Sequence, residues 1–171
     1  MNTWKKLHDV LMPNNSALGW WKKMSFDIKI SKGDLAINRG EIQTVVDSEK
    51  LIQDILKLCL TTAGSNPLHP WYGSFLSRTI VGSSMDTGML VQISKSQLTS
   101  ALENLKNLQS SQMRNYQVVT ADEQLGAILD IMVTRSGNDP RLFDVKIKAI
   151  TKGYKPISTA FRATYRNNIK R

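Results

Sequence analysis

A chain of 171 residues with 41% hydrophobic and 22% charged side chains can bury the core of one domain and is too apolar to be disordered. Its net charge of +9 is uneven: residues 1–23 carry +3, residues 24–140 carry −2 and residues 141–171 carry +8. Cys59 alone cannot form an internal disulfide, His8 and His69 without a cysteine pair give no zinc-ligand spacing, and no apolar run reaches the roughly 20 residues of a membrane span.

The first segment, MNTWKKLHDVLMPNN, has no sustained apolar stretch or small-residue cleavage site, so secretion is not expected. It reads as a short amphipathic helix with Trp4, Leu7, Val10 and Leu11 on one face, broken at Met12-Pro13-Asn14-Asn15. A lone helix of this length is marginal in water and needs a surface to pack on. Trp20-Trp21 follow in a loop; either one of them anchors a partner or both pack on their own domain. We treat residues 1–25 as an N-terminal arm and residues 26–171 as the domain.

From Phe26 the pattern changes to period two. Phe26, Ile28 and Ile30, then Leu35 and Ile37, then Ile42, Thr44 and Val46, are separated by turns at Ser31–Asp34 and Asn38–Gly40. This predicts a three-strand antiparallel meander. An amphipathic helix over Asp47–Thr61 follows, with Leu51, Ile52, Ile55, Leu56 and Cys59 as its apolar stripe and Asp47 or Ser48 as its cap. Gly64 and Pro67 end it, and a turn leads through Pro70 to Tyr72-Gly73, with Gly73 expected at a positive φ and Tyr72 packed beneath the first sheet.

A short helix is expected over Ser74–Val81. Ser94-Lys95-Ser96-Gln97 has the spacing of a capping box and predicts the start of the longest helix, running to about Met113. Thr120-Ala121-Asp122-Glu123 is a second such box. Ile128–Val133 fits helix or buried strand; strand is preferred because the turn sequence SGNDP follows and Val145, Ile147 and Ile150 continue a sheet pattern. After a turn at Gly153–Pro156, Ile157, Thr159, Phe161, Ala163 and Tyr165 share one side of a last strand. No internal repeat is apparent. The fold class expected is α+β, antiparallel meander strands packed with amphipathic helices in a single domain.

Between the first helix and Gly73 the residues stand as Q-x-I-x(4)-L-T-x-x-G-x(5)-P-x-Y-G, from Gln53, Ile55, Leu60, Thr61 and Gly64 to Pro70, Tyr72 and Gly73. This resembles the signature of the sheath-initiator family of contractile-tail baseplates, the lysozyme-like wedge proteins of myophages and type VI secretion systems. The resemblance implies a structural protein of the virion tail baseplate, assembled in the host cytoplasm in several copies around a sixfold axis. It implies the tail sheath protein and baseplate wedge subunits as partners, with tail tube or hub proteins as further candidates. It also implies a Glu-Pro-Arg docking motif before the last sheet. Two registers remain for that motif. Asp139-Pro140-Arg141 matches the letters, whereas Glu123-Gln124-Leu125 keeps three strands after it and is preferred on topology. The join to the sheath would use an edge of the final sheet, with Thr159, Phe161, Ala163 and Tyr165 on the contacting strand, and Trp4, Trp20 and Trp21 would anchor the arm on a neighbour. Lys146, Lys148, Lys152 and Lys155 would protect the edge before assembly.

Glycosidase chemistry needs two carboxylates across a cleft, one with a raised pKa. Asp27, Asp34, Glu41, Asp122, Glu123 and Asp130 all lie among polar strands and turns, and the chain has no nucleophile elbow or phosphate-binding loop. No catalytic function and no cofactor are expected. The basic C-terminal segment leaves a small nucleic-acid-binding module as the alternative, without a recognition helix or zinc site to support it.

Overall fold

The computed structural model describes residues 25–31, 33–80, 86–114, 118–139 and 142–164. Of the residues singled out above, Trp4, Trp20, Trp21, Arg141 and Tyr165 lie outside these, as do the N-terminal helix and Pro140. The fold is mixed α+β. Six two-residue strands come first: β1 (Asp27–Ile28), β2 (Ile30–Ser31), β3 (Asp34–Leu35), β4 (Ile37–Asn38), β5 (Glu41–Ile42) and β6 (Thr44–Val45). Helices α1 (Asp47–Leu60), α2 (Leu76–Ile80) and α3 (Thr87–Arg114) follow, then a 3-10 turn (Ala121–Glu123) and strands β7 (Leu125–Arg135), β8 (Leu142–Thr151) and β9 (Pro156–Thr164).

The N-terminal strands do not form the simple meander expected. Their pairings are β1 with β6, β2 with β3 and β4 with β5, all antiparallel. Each of three extended segments therefore gives one half to each of the other two, and the three meet at a triangular junction. At its centre the Lys29 amide donates to the Gln43 carbonyl (2.8 Å), Ala36 to Lys29 (2.9 Å) and Gln43 to Ala36 (2.9 Å). These residues are seven apart, and so are Asp27, Asp34 and Glu41, and Ile28, Leu35 and Ile42. Positive φ angles recur at the same interval, at Gly33 (88°), Gly40 (84°) and Asp47 (51°). A seven-residue internal repeat is thus present, contrary to the sequence reading. It was missed because one of its turns carries Asp instead of Gly.

Asp47, strained at that angle, does not cap α1. The N-cap is Val46, without a side-chain bond, and Asp47 Oδ1 instead accepts from the Thr120 hydroxyl at 2.7 Å. The second expected capping box is spent on the same contact, since Thr120 precedes the 3-10 turn without capping it. A further correction concerns α3, which begins at Thr87, so Ser94 lies within the helix and is buried. No Gly or Pro lies between Leu90 and Ser94 to break the helix there, and the apolar residues Leu90 and Val91 extend the packed face N-terminally.

The C-terminal strands form one antiparallel sheet in the order β7-β8-β9, the three-strand meander expected after Glu123. Its inner face alternates through Phe143, Val145, Ile147 and Ala149 on β8. Those residues meet Leu51, Ile55 and Leu58 of α1 and Leu98, Leu102 and Leu105 of α3 in one core. Fully burying each such side chain contributes about 1.5–3 kcal/mol. Cys59 lies in the same core, and burial pushes its thiol pKa up to about 12, so it behaves as a small apolar group. Among the described residues, no helix is long and apolar enough to cross a membrane.

Candidate partner-binding edge

Sheet order leaves β7 and β9 at the two edges, and they differ. Strand β7 carries register shifts between Leu125 and Ala127 and between Ile128 and Asp130. Its start is also occupied by side chains of α3. The Gln109 amide accepts from the Leu125 N–H (2.8 Å) and donates to the Glu123 carbonyl (2.9 Å), as a neighbouring strand would, and Lys106 Nζ donates to the Gly126 carbonyl (2.9 Å). Strand β9 pairs with β8 in unbroken register from Leu142–Thr164 to Ile150–Pro156, and no described segment pairs with its outer side. Ile157, Thr159, Phe161 and Ala163 share one side of β9, which points inward, while Ser158, Ala160 and Arg162 are exposed on the other face. Bulges and short edges protect a sheet from unwanted pairing. Here β7 has such protection and β9 does not.

The lysines expected to guard that edge are placed elsewhere. Lys146 and Lys148 project from the central strand β8 onto the exposed sheet face. Lys152 Nζ donates to Gln124 Oε1 (2.7 Å), and Lys155 Nζ donates to Ser48 Oγ (2.8 Å). Arg162 pairs with Asp144 on the exposed face at 2.7 Å.

Glu123 is turned inward, with 1% of its surface exposed. Its Oε2 accepts from the Ser25 hydroxyl and lies 3.4 Å from Lys50 Nζ, while Oε1 has no hydrogen-bond partner among the described residues. The carboxylate expected to dock on a wedge subunit is thus engaged within its own chain, tying the end of the arm to α1. The spacing to the last sheet locates Glu123 in the chain without saying which way its side chain faces.

The Pro70–Gly73 turn is structural. Ser74 N–H donates to Thr61 O (2.8 Å), Ala63 N–H to Ser74 O (2.9 Å) and Gly64 N–H to Pro70 O (2.9 Å), closing the loop on the end of α1. Gly73 has φ 116°, and a Cβ there would sit 2.6 Å from Thr61 O, so only glycine fits. Tyr72 is half-buried against the core, with Asp27, Asp54 and Lys57 near enough to act on its phenol. Gln53, a letter of the sequence signature, proves to be a buried clamp. Its Nε2 donates to Asp27 Oδ2 and to the Ile28 carbonyl (both 2.8 Å), and its Oε1 accepts from Ile30 N–H (2.9 Å). A glutamine directly after the Leu51-Ile52 pair on an apolar helix was the available signal.

The carboxylates considered for catalysis are dispersed. Asp34, Glu41 and Asp130 are exposed, Asp122 accepts from Thr151, and Asp27 is paired with Lys57. Burial alone would raise the Asp27 pKa, but hydrogen bonds from Lys57 and Gln53 outweigh it and hold the carboxyl below its ordinary value. A groove of about 360 Å³ between α3 and β7 has Glu103 as its one carboxylate, and a second, of about 230 Å³ beside Trp71, is lined by none.

No protein-family model matches the sequence, and no curated protein matches it. Among solved structures, the crystal structure of a protein provisionally designated a tail lysozyme, from Geobacter sulfurreducens, is similar. The TM-score is 0.54 at 9% identity, over 70% of this chain and 92% of that one. What is shared is the fold.

Proposed function

We propose that this chain is a structural component of a contractile phage-type tail. In this reading it sits in the baseplate among wedge subunits and joins them to the first ring of the tail sheath by accepting a sheath strand along β9. The observation that carries the reading is the contrast between the two sheet edges: nine regular residues of β9 are open, whereas β7 is bulged and occupied by α3 side chains. Strand addition uses main-chain hydrogen bonds that such an edge offers ready-made. The fold shared with a tail protein agrees with it, as does the signature from Gln53 to Gly73.

The test rests on strand geometry. Successive amides of an antiparallel strand point to opposite sides. Of Ser158→Pro and Thr159→Pro, one therefore removes a bond to β8 and the other a donor on the outer edge. The variant with the parental melting curve is expected to assemble particles without sheath. Normal sheaths on particles carrying that variant would overturn the reading. The chain is also proposed to be non-enzymatic, because among the described residues the dispersed and paired carboxylates do not form an acid–nucleophile pair. Purified protein is expected to leave peptidoglycan intact, and cleavage above a buffer control would refute this.

A further inference from the structure

Helix α3 holds extended backbone with one carboxamide and carries two more that hold nothing. Gln109 bonds the Leu125 N–H and the Glu123 carbonyl at the start of β7. Gln97 and Asn104 make no hydrogen bond among the described residues, and both line the groove of about 230 Å³ beside Trp71. Ser100 and Ala101 lie between them on the same helix face, and their small side chains let a backbone approach.

The other wall of this groove is aromatic. The turn closed by Gly73 carries Trp71 and leads into Phe75, each 46% exposed. Trp71 is nonetheless held in place, its ring meeting His69 edge-on at 5.7 Å between centroids and Tyr72 at 6.1 Å. An exposed tryptophan already fixed by its neighbours loses little freedom on binding and makes a strong anchor. Small-molecule pockets typically run ~300–1,000 Å³, so this groove is sized for side chains of a partner. No charged side chain lines it. At its rim the Arg78 guanidinium lies over the Phe75 ring (5.7 Å) and pairs with no acid among the described residues.

Spacing decides the form of chain that fits. Seven positions along α3 put Gln97 and Asn104 about 10.5 Å apart. A polyproline II helix repeats every three residues, about 9.3 Å, and its unbonded carbonyls at i and i+3 face the same side. In a β-strand, backbone groups three residues apart face opposite sides, so a strand does not meet both amides. We propose that this groove docks a proline-rich polyproline II segment of a partner protein. Trp71 and Phe75 receive a proline ring, Gln97 and Asn104 donate to carbonyls one turn apart, and Arg78 pairs with an acidic residue of the segment. The inference does not depend on the role of β9.

A random decapeptide library displayed on yeast and selected on the full chain tests this. Enriched sequences are expected to carry prolines three apart together with Asp or Glu. For such a peptide, calorimetry is expected to show binding about 30-fold weaker in Trp71→Ala and about tenfold weaker in Gln97→Ala/Asn104→Ala. Arg78→Ala is expected to weaken it about fivefold and to remove most of its salt dependence. Should Trp71→Ala lose the parental circular dichroism, the carboxamide variant decides. No enrichment, enrichment of sequences lacking proline or an acid, or equal affinity in the parent and the carboxamide variant overturns the proposal.

Discussion

Asp27 joins the triangular junction to α1, and its environment makes a pH-dependent prediction. Its carboxylate accepts from Gln53 and Lys57, and Lys57 also pairs with Asp54 at 2.8 Å. The Asp27 pKa is lowered in the fold, so the stability it contributes is present above its ordinary value of 3.8 and is lost as pH falls through the folded value. For Lys57, burial would lower the pKa, but hydrogen bonds to Asp27 and Asp54 raise it, so its share persists up to 10.5 and is lost above. Both side chains are about one-third exposed, which screens the pair. Asp27→Asn is therefore expected to cost on the order of 0.5–1 kcal/mol at neutral pH, and the deficit to shrink as pH falls below 3.8 through the lowered folded value. Urea melts at pH 7 and pH 3 measure this; an equal deficit at both would mean that packing, not charge, joins the two elements.

Among the elements, α3 does more than cover the sheet. Gln109, 5% exposed, bonds two backbone groups at the start of β7 that would otherwise be buried without partners. Gln109→Leu keeps the volume and leaves both unsatisfied. At about 1–3 kcal/mol for each, a loss of about 2–5 kcal/mol is expected, seen as a lower denaturant midpoint at unchanged m. A shift below about 0.5 kcal/mol would show that water replaces the amide. The elements also show what periodicity conveys. The apolar stripe from Leu51 to Cys59 and the alternation from Ile157 to Ala163 were legible because burial imposes a period on side chains. The early start of α3 was not, since a Ser-x-x-Gln spacing occurs within helices as well as at their ends.

Across the whole molecule, the α+β class and the final three-strand meander could be read in advance, whereas the arrangement of the first strands could not. Alternation at Phe26–Val46 specifies extended chain but neither its partners nor which face is covered, and Ile30, Ile37 and Ile42 are exposed. Pairing in threes is set by the turns at Gly33 and Gly40 and by Gln53, which reaches across from another element. The site was legible to a similar extent. The β9 alternation was visible, but the protection of β7 comes from Lys106 and Gln109, whose side-chain directions no linear pattern records.

The triangular junction also bears on the order in which this chain acquires structure. All of its pairings lie between Asp27 and Val45, within reach of local search, whereas Ser48 and Lys155 meet across 107 positions and Ser25 and Glu123 across 98. As the polypeptide leaves the ribosome, the junction can close while β7, β8 and β9 are still unmade. Its exposed apolar side chains, Ile28, Ile30, Leu35, Ile37 and Ile42, then face water at the stage most exposed to aggregation.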